Sequence, residues 1–266
     1  MPSPAQRVPS RAFALRELQY WLTQYRRTWR GSIYSSLLNP VLYLGAMGLG
    51  LGSQINHHGT AALGGVSYLT FLTPGLLAAT GMQSGVAEST YPVLGSVKWN
   101  KTYRAAVATP LRPADVFHGH LLFVVIRVAM NCTLFLAVAA ALGAVSSLLA
   151  AAAVPVAVLT GMAFATPLEA WTVTRVRDTS LPVIFRFGVV PLFLFSGTFF
   201  PISQLPSWIQ PVAYISPLWH GVELCRGLAL GTATWAAALV HVGYLVVWAV
   251  VGVAIGQRTY RRRLHV

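Results

Sequence analysis

The sequence predicts an all-α polytopic membrane protein: six transmembrane helices, an amphipathic interface helix at the N-terminus and a proline-broken apolar segment before the last crossing. Three observations predict it. Apolar residues make up 55% of the 266 and charged ones 9%, where a soluble domain carries about a quarter charged; so few charges cannot clothe a water-facing surface. The apolar residues gather in runs of about 20, the length that crosses a hydrocarbon core of roughly 30 Å. The basic residues behind the net charge of +13 flank these runs instead of forming one polar face, which accounts for the charge without nucleic acid.

Residues 1–30 form a cytoplasmic arm. From Ser10 to Trp29, apolar residues recur at Leu15, Leu18, Leu22, Tyr25 and Trp29, a helical spacing. Arginines fill much of the remaining surface, a mixture suited to the headgroup layer. Arg7, Arg11, Arg16, Arg26, Arg27 and Arg30 leave no continuous apolar core here, so no cleavable signal peptide is expected. A single membrane domain is expected over 31–257, followed by a basic tail, 258–266.

Its crossings are expected at about 32–51, 67–87, 116–142, 148–168, 182–200 and 235–255. The first holds Pro40 and the small residues Gly45, Gly48, Gly50 and Gly52, expected to allow close helix approach; no Lys-Ser or Lys-Thr follows them at phosphate-loop spacing. A loop with His57 and His58 leads to the second crossing, and the third is interrupted by Arg127. Between the fifth and the last, an aromatic stretch broken by Pro201, Pro206, Pro211 and Pro217 suits short helices dipping into the outer leaflet. With both termini cytoplasmic, all of the 19 Lys and Arg except Arg127 and Arg226 fall at or near the inner side. Positive residues accumulate there, and an odd number of crossings would strand one terminal cluster outside.

Two polar constellations interrupt the apolar pattern. In Gly95–Arg104, Trp99 and Tyr103 lie four apart among Lys98, Lys101 and Arg104. On a short helix this makes an aromatic knob with a basic rim, suited either to a groove on a partner protein or to anchoring in lipid. Arg127, inside a crossing, needs a counter-charge or a wet cavity. Glu88 and Glu169 are the acids within reach, and a structural pair or snorkelling is preferred to a role in binding an anionic substrate. His118 and His120 lack Cys, Asp or Glu at ligand spacing, so no metal site is expected, and Cys132 and Cys225 read as small packing residues. No zinc-protease motif, serine elbow or close pair of acids occurs, which disfavours an enzyme.

The stretch Ser196-Gly-Thr-Phe-Phe-Pro201-Ile-Ser-Gln-Leu-Pro206-Ser-Trp208, followed by Ser216-Pro-Leu-Trp-His-Gly-Val-Glu-Leu-Cys-Arg226, resembles the signature of type 2 ABC transporter permeases. Pro74-Gly75-Leu76, Glu88-Ser-Thr-Tyr91 and Thr109-Pro110-Leu111 extend the match. Within that family the chain is most similar to the NodJ-like permeases of lipo-oligosaccharide export and to the daunorubicin-resistance permeases. The resemblance covers most of the chain after about Arg30. It implies a re-entrant helical hairpin before the last crossing, with Gly197, Phe200, Pro201, Pro206, Trp208, Pro217 and Arg226 as its outer signature. It also implies that Lys98, Trp99, Lys101, Tyr103 and Arg104 belong to a coupling helix that docks on a separate cytoplasmic ATPase.

The chain would then be the membrane subunit of an ATP-driven exporter in the cell membrane, acting in efflux or antibiotic resistance. It would pair with a second permease, a copy or a paralogue. No cofactor would bind this chain, because ATP and Mg would sit on the ATPase. An apolar path suits an amphipathic substrate: a drug, a lipid, or a lipid-linked sugar or oligosaccharide. The alternative, an ion-coupled secondary transporter, would place ionisable sites at the midplane of inverted repeats. Only Arg127 lies well inside a crossing, and the two halves show no convincing repeat.

Overall fold

The computed structural model describes residues 10–54, 63, 65–145 and 147–264; His57 and His58 lie outside the described residues. Among these residues every regular element is helical. Helix α1 spans Ser10–Tyr43 and continues as a wider π-helical stretch, Leu44–Leu51. The expected break between arm and first crossing is absent, since the helix runs through Gly31. Leu18, Leu22 and Tyr25 of the expected apolar stripe are half-buried, whereas Leu15 and Trp29 are exposed. The face turned to the protein instead carries Glu17 and Trp21.

Helix α2, Tyr68–Glu88, starts at an N-cap where the Ser67 hydroxyl accepts from the Thr70 amide at 3.2 Å. A kinked segment follows: α3, Tyr91–Leu94, with a π turn Gly95–Trp99, then α4, Thr102–Val107. Lys101, at their junction, has φ 54°, the left-handed conformation that non-glycine residues rarely adopt. Helix α5 is Pro113–Ala141, with proline at its first position and Asp115 Oδ2 accepting from the Arg112 amide at 3.0 Å. A 3₁₀ turn, Leu148–Ala152, leads into α6, Ala153–Thr172. Helix α7, Ser180–Phe195, holds a central π turn. Two short helices, α8 (Gln210–Ile215) and α9 (Pro217–Leu230), precede α10, Trp235–Leu264.

Three of these helices, Pro113–Ala141, Leu149–Thr172 and Trp235–Leu264, are long and apolar enough to cross a membrane. Helix α2 is less apolar, diluted by Thr70, Thr73, Thr80, Gln83 and Ser84, and most of it is buried against its neighbours. Its closest partner is α6. A Cβ on Gly81 would lie 2.1 Å from the Ala157 carbonyl oxygen, and one on Gly85 2.4 Å from that of Gly161. The backbones meet there because no side chain intervenes, the packing that small residues permit between membrane helices. In the glycine run of the first crossing, Gly45 and Gly50 face open space, whereas a Cβ on Gly48 would run into the Leu69 side chain of α2, so only part of that run allows close approach.

Helix α10 outruns its expected end at 255 and carries the arginine tail as helix up to Leu264. The reason is Tyr260 and Leu264, four apart on one face and buried among Val93, Val97, Tyr103, Phe117 and Val173. The start of α1, the kinked segment, the start of α5 and the ends of α6 and α10 therefore meet at one end of the bundle. It carries Lys98, Lys101, Arg104, Arg175, Arg258 and Arg261 and is called the basic end below.

Candidate functional site

At the basic end, the kinked segment presents part of its knob and buries the rest. Lys98, Trp99, Lys101 and Arg104 are exposed, Trp99 to 52%, while Tyr103 is fully buried. The Trp99 ring folds back over Gly95, where a Cβ would stand 3.3 Å from the indole, and the Lys98 ammonium lies 5.9 Å from the ring centroid. The two aromatics thus do not share a face. The π turn and the left-handed Lys101 break the helical register between them, so a spacing of four no longer aligns them.

Tyr103 is turned into a buried polar cluster that the sequence reading missed. Glu169 on α6, fully buried, accepts from the Tyr260 hydroxyl at 2.7 Å and lies 3.1 Å from His120 Nδ1. His120 is stacked against Trp21 at 4.4 Å, and the Trp21 indole donates to Glu17 at 3.1 Å. Burial pushes the Glu17 carboxyl above its usual range, against the Trp21 hydrogen bond and nearby His120. Glu169 is therefore not the partner of Arg127, and His118 and His120 turn to different groups, His118 to Gln257 at 3.0 Å. A signal for this cluster did exist: six Asp and Glu in so apolar a chain each demand a specific partner. Tyr260→Phe removes one hydrogen bond to a carboxylate and is expected to cost about 1.5–3 kcal/mol, read as a lowered unfolding midpoint in detergent.

Deeper in the bundle, Arg127 pairs with Glu88. Nε lies 2.8 Å from Glu88 Oε1, Nη2 donates to the Ser32 hydroxyl at 2.6 Å, and the guanidinium sits 4.4 Å from the Tyr25 ring centroid. Nη1, buried, has no hydrogen-bond partner among the described residues. The pair ties α5 to the end of α2 and to α1.

At the opposite end, Arg226 organises the second constellation. Its Nη2 donates to the Gly197 carbonyl at 2.8 Å, its Nη1 bonds Glu223 at 2.9 Å, and its guanidinium covers Phe71 at 3.9 Å. Gly197 needs its glycine, with φ 80° in the turn that ends α7. Gly75 needs its own, because a Cβ there would meet the Thr198 carbonyl oxygen at 2.7 Å. Ser216 caps α9 by accepting from the Leu218 amide at 3.2 Å, with Pro217 at the first helical position. Phe200 packs with Ile202, Leu205 and Ala213 below Pro201. Pro206 and Trp208 are exposed, Trp208 to 76%. Residues far apart in sequence, Gly75, Gly197 and Arg226, thus meet at one joint.

The model of the ABC-2 type transporter family matches residues 15–230, which takes in both constellations. Nodulation protein J of Rhizobium leguminosarum bv. viciae is 32% identical over 253 residues, 92% of this chain and 95% of that protein. Nodulation protein J of Rhizobium meliloti is 31% identical, covering 92% and 94%. That of Neorhizobium galegae is 27% identical with the same coverage. With an all-helical apolar bundle and a family match over most of its length, the chain belongs to the ABC-2 type transporter family.

Proposed function

We propose that this chain is the membrane-spanning permease subunit of an ATP-driven exporter in the cell membrane, powered by a separate cytoplasmic ATPase. The observation that carries the reading is the exposed Trp99 with its basic neighbours, on a kinked segment that is anchored in the bundle by the buried Tyr103. Such a surface suits a partner's groove, and the rigid base beneath it suits the transmission of force to α5, α6 and α10. Six crossings complete the reading: α1 from about Ser32, α2, α5, α6, α7 and α10, with α8 and α9 as a re-entrant hairpin. The basic end is then cytoplasmic, as the distribution of arginines favours, and both termini lie there.

A second permease, a copy or a paralogue, completes the path for an amphipathic substrate. The energy comes in trans, since the sequence contains no phosphate loop. The purified chain alone is expected to hydrolyse no ATP. With its ATPase in proteoliposomes it is expected to move an amphipathic substrate with ATP, and to keep doing so when a protonophore collapses the proton gradient. Turnover by the chain alone, or transport lost with the gradient while ATP remains, overturns the reading.

A further inference from the structure

A cavity of about 290 Å3 opens between α1, α2, α5 and α7, and its chemistry is not consumed by the fold. Thr80, Gln83 and Ser84 enter it from one face of α2, and Ser36 and Asn131 from α1 and α5. Asn131 is held in place, donating to the Ser84 hydroxyl at 2.9 Å and accepting from the Ser36 hydroxyl at 2.8 Å. Gln83 is exposed, and its amide makes no hydrogen bond among the described residues. It lies about 22 Å along α2 from Tyr68 and about 7.5 Å from Glu88 at the other end, at 1.5 Å per residue. A free primary amide within the apolar part of a crossing is costly unless water or a ligand meets it.

The charges of the cavity narrow the ligand. Arg127 and Glu88 both line it and neutralise each other at 2.8 Å. An anion would be repelled by the carboxylate, and a cation by the guanidinium. What is left over is hydrogen bonding: the Gln83 amide, which can donate and accept, and the Thr80 and Ser36 hydroxyl oxygens, which donate to the Leu76 carbonyl and to Asn131 and can still accept. The remaining wall is apolar, formed by Leu76, Phe135 and Phe193. We propose that this cavity binds the neutral, hydroxyl- or amide-bearing headgroup of a membrane amphiphile, with Gln83 as the residue that selects it. The inference deepens the exporter reading and rests on it only for the ligand's being cargo.

The test uses the permease–ATPase complex in lipid nanodiscs and a decyl glucoside carrying a diazirine next to the sugar. After irradiation, mass spectrometry locates the label. Labelling is expected on the peptides holding Gln83 and Asn131, competed at least tenfold better by decyl glucoside than by decyltrimethylammonium or decyl sulfate. Gln83→Leu is expected to lower labelling at least tenfold and Gln83→Asn to restore part of it, at unchanged melting temperature. Equal competition by the charged amphiphiles, or wild-type labelling of Gln83→Leu, overturns the proposal. So does efficient disulfide formation between two copies of Gln83→Cys with no label in the cavity, which would assign this face to the second copy. Labelling intact without ATP-driven transport refutes the exporter reading and leaves the site standing; transport intact without labelling does the reverse.

Discussion

Replacing Arg127 by leucine is expected to destabilise the chain by about 3–5 kcal/mol, and replacing Glu88 by leucine as well is expected to recover most of that loss. The side chains of the pair are only 10% and 16% exposed, so neither charge is well hydrated once its partner is gone. In the single variant Glu88 keeps a carboxylate in an apolar bundle with no cation, while the Ser32 hydroxyl and the Tyr25 ring lose the guanidinium they held. In the double variant two apolar side chains occupy the space and no charge is stranded. A double-mutant cycle on unfolding in detergent therefore yields a large coupling energy of the sign that favours the pair. Additive losses would show that the two groups do not support each other, and a stable Arg127→Leu variant would release Arg127 from a structural role.

Much of this fold is legible in the sequence because a bilayer tolerates few solutions. Apolar length places α2, α5 and α6 close to their expected ranges and starts α10 at Trp235, and the Thr109–Pro113 turn does separate α4 from α5. What was not legible arises where side chains answer one another across helices. Nothing in a local window says that Glu169 chooses Tyr260 and His120 over Arg127, since Glu169 is on α6, Tyr260 on α10 and both His120 and Arg127 on α5, and only packing decides which of them reach it. The split between Trp99 and Tyr103 was hidden for a different reason: periodicity assumes a continuous helix, and one left-handed residue, Lys101, resets the register. That the arginine tail is helical was hidden because its charges outweigh Tyr260 and Leu264, the two residues that pack it against the bundle. Arg226 shows the converse. Its motif could be quoted from sequence, but the reason for the motif, one guanidinium gathering Gly197, Glu223 and Phe71, is visible only in three dimensions.

Trp99→Ala is expected to weaken association with the ATPase roughly 30- to 700-fold, about 2–4 kcal/mol, the loss that follows removal of a central aromatic anchor from an interface. The chain itself should fold as before, because the indole is half exposed and rests mainly on Gly95. Tyr103→Ala is the contrasting variant. It empties a fully buried aromatic site beside Tyr260 and Phe117 and is expected to lower the melting temperature before any question of docking arises. Lys98→Ala and Lys101→Ala, at the rim, should cost less and lose their effect in high salt, as exposed charges do. Trp208→Ala supplies the control: a still more exposed tryptophan at the opposite end, whose loss should leave ATPase binding unchanged. Titration of the ATPase against nanodisc-embedded variants separates these cases. If Trp99→Ala binds as tightly as the wild type, the knob is a lipid anchor and the ATPase docks elsewhere. If Trp208→Ala weakens binding as much as Trp99→Ala, the basic end is not the docking end and the proposed orientation falls with it.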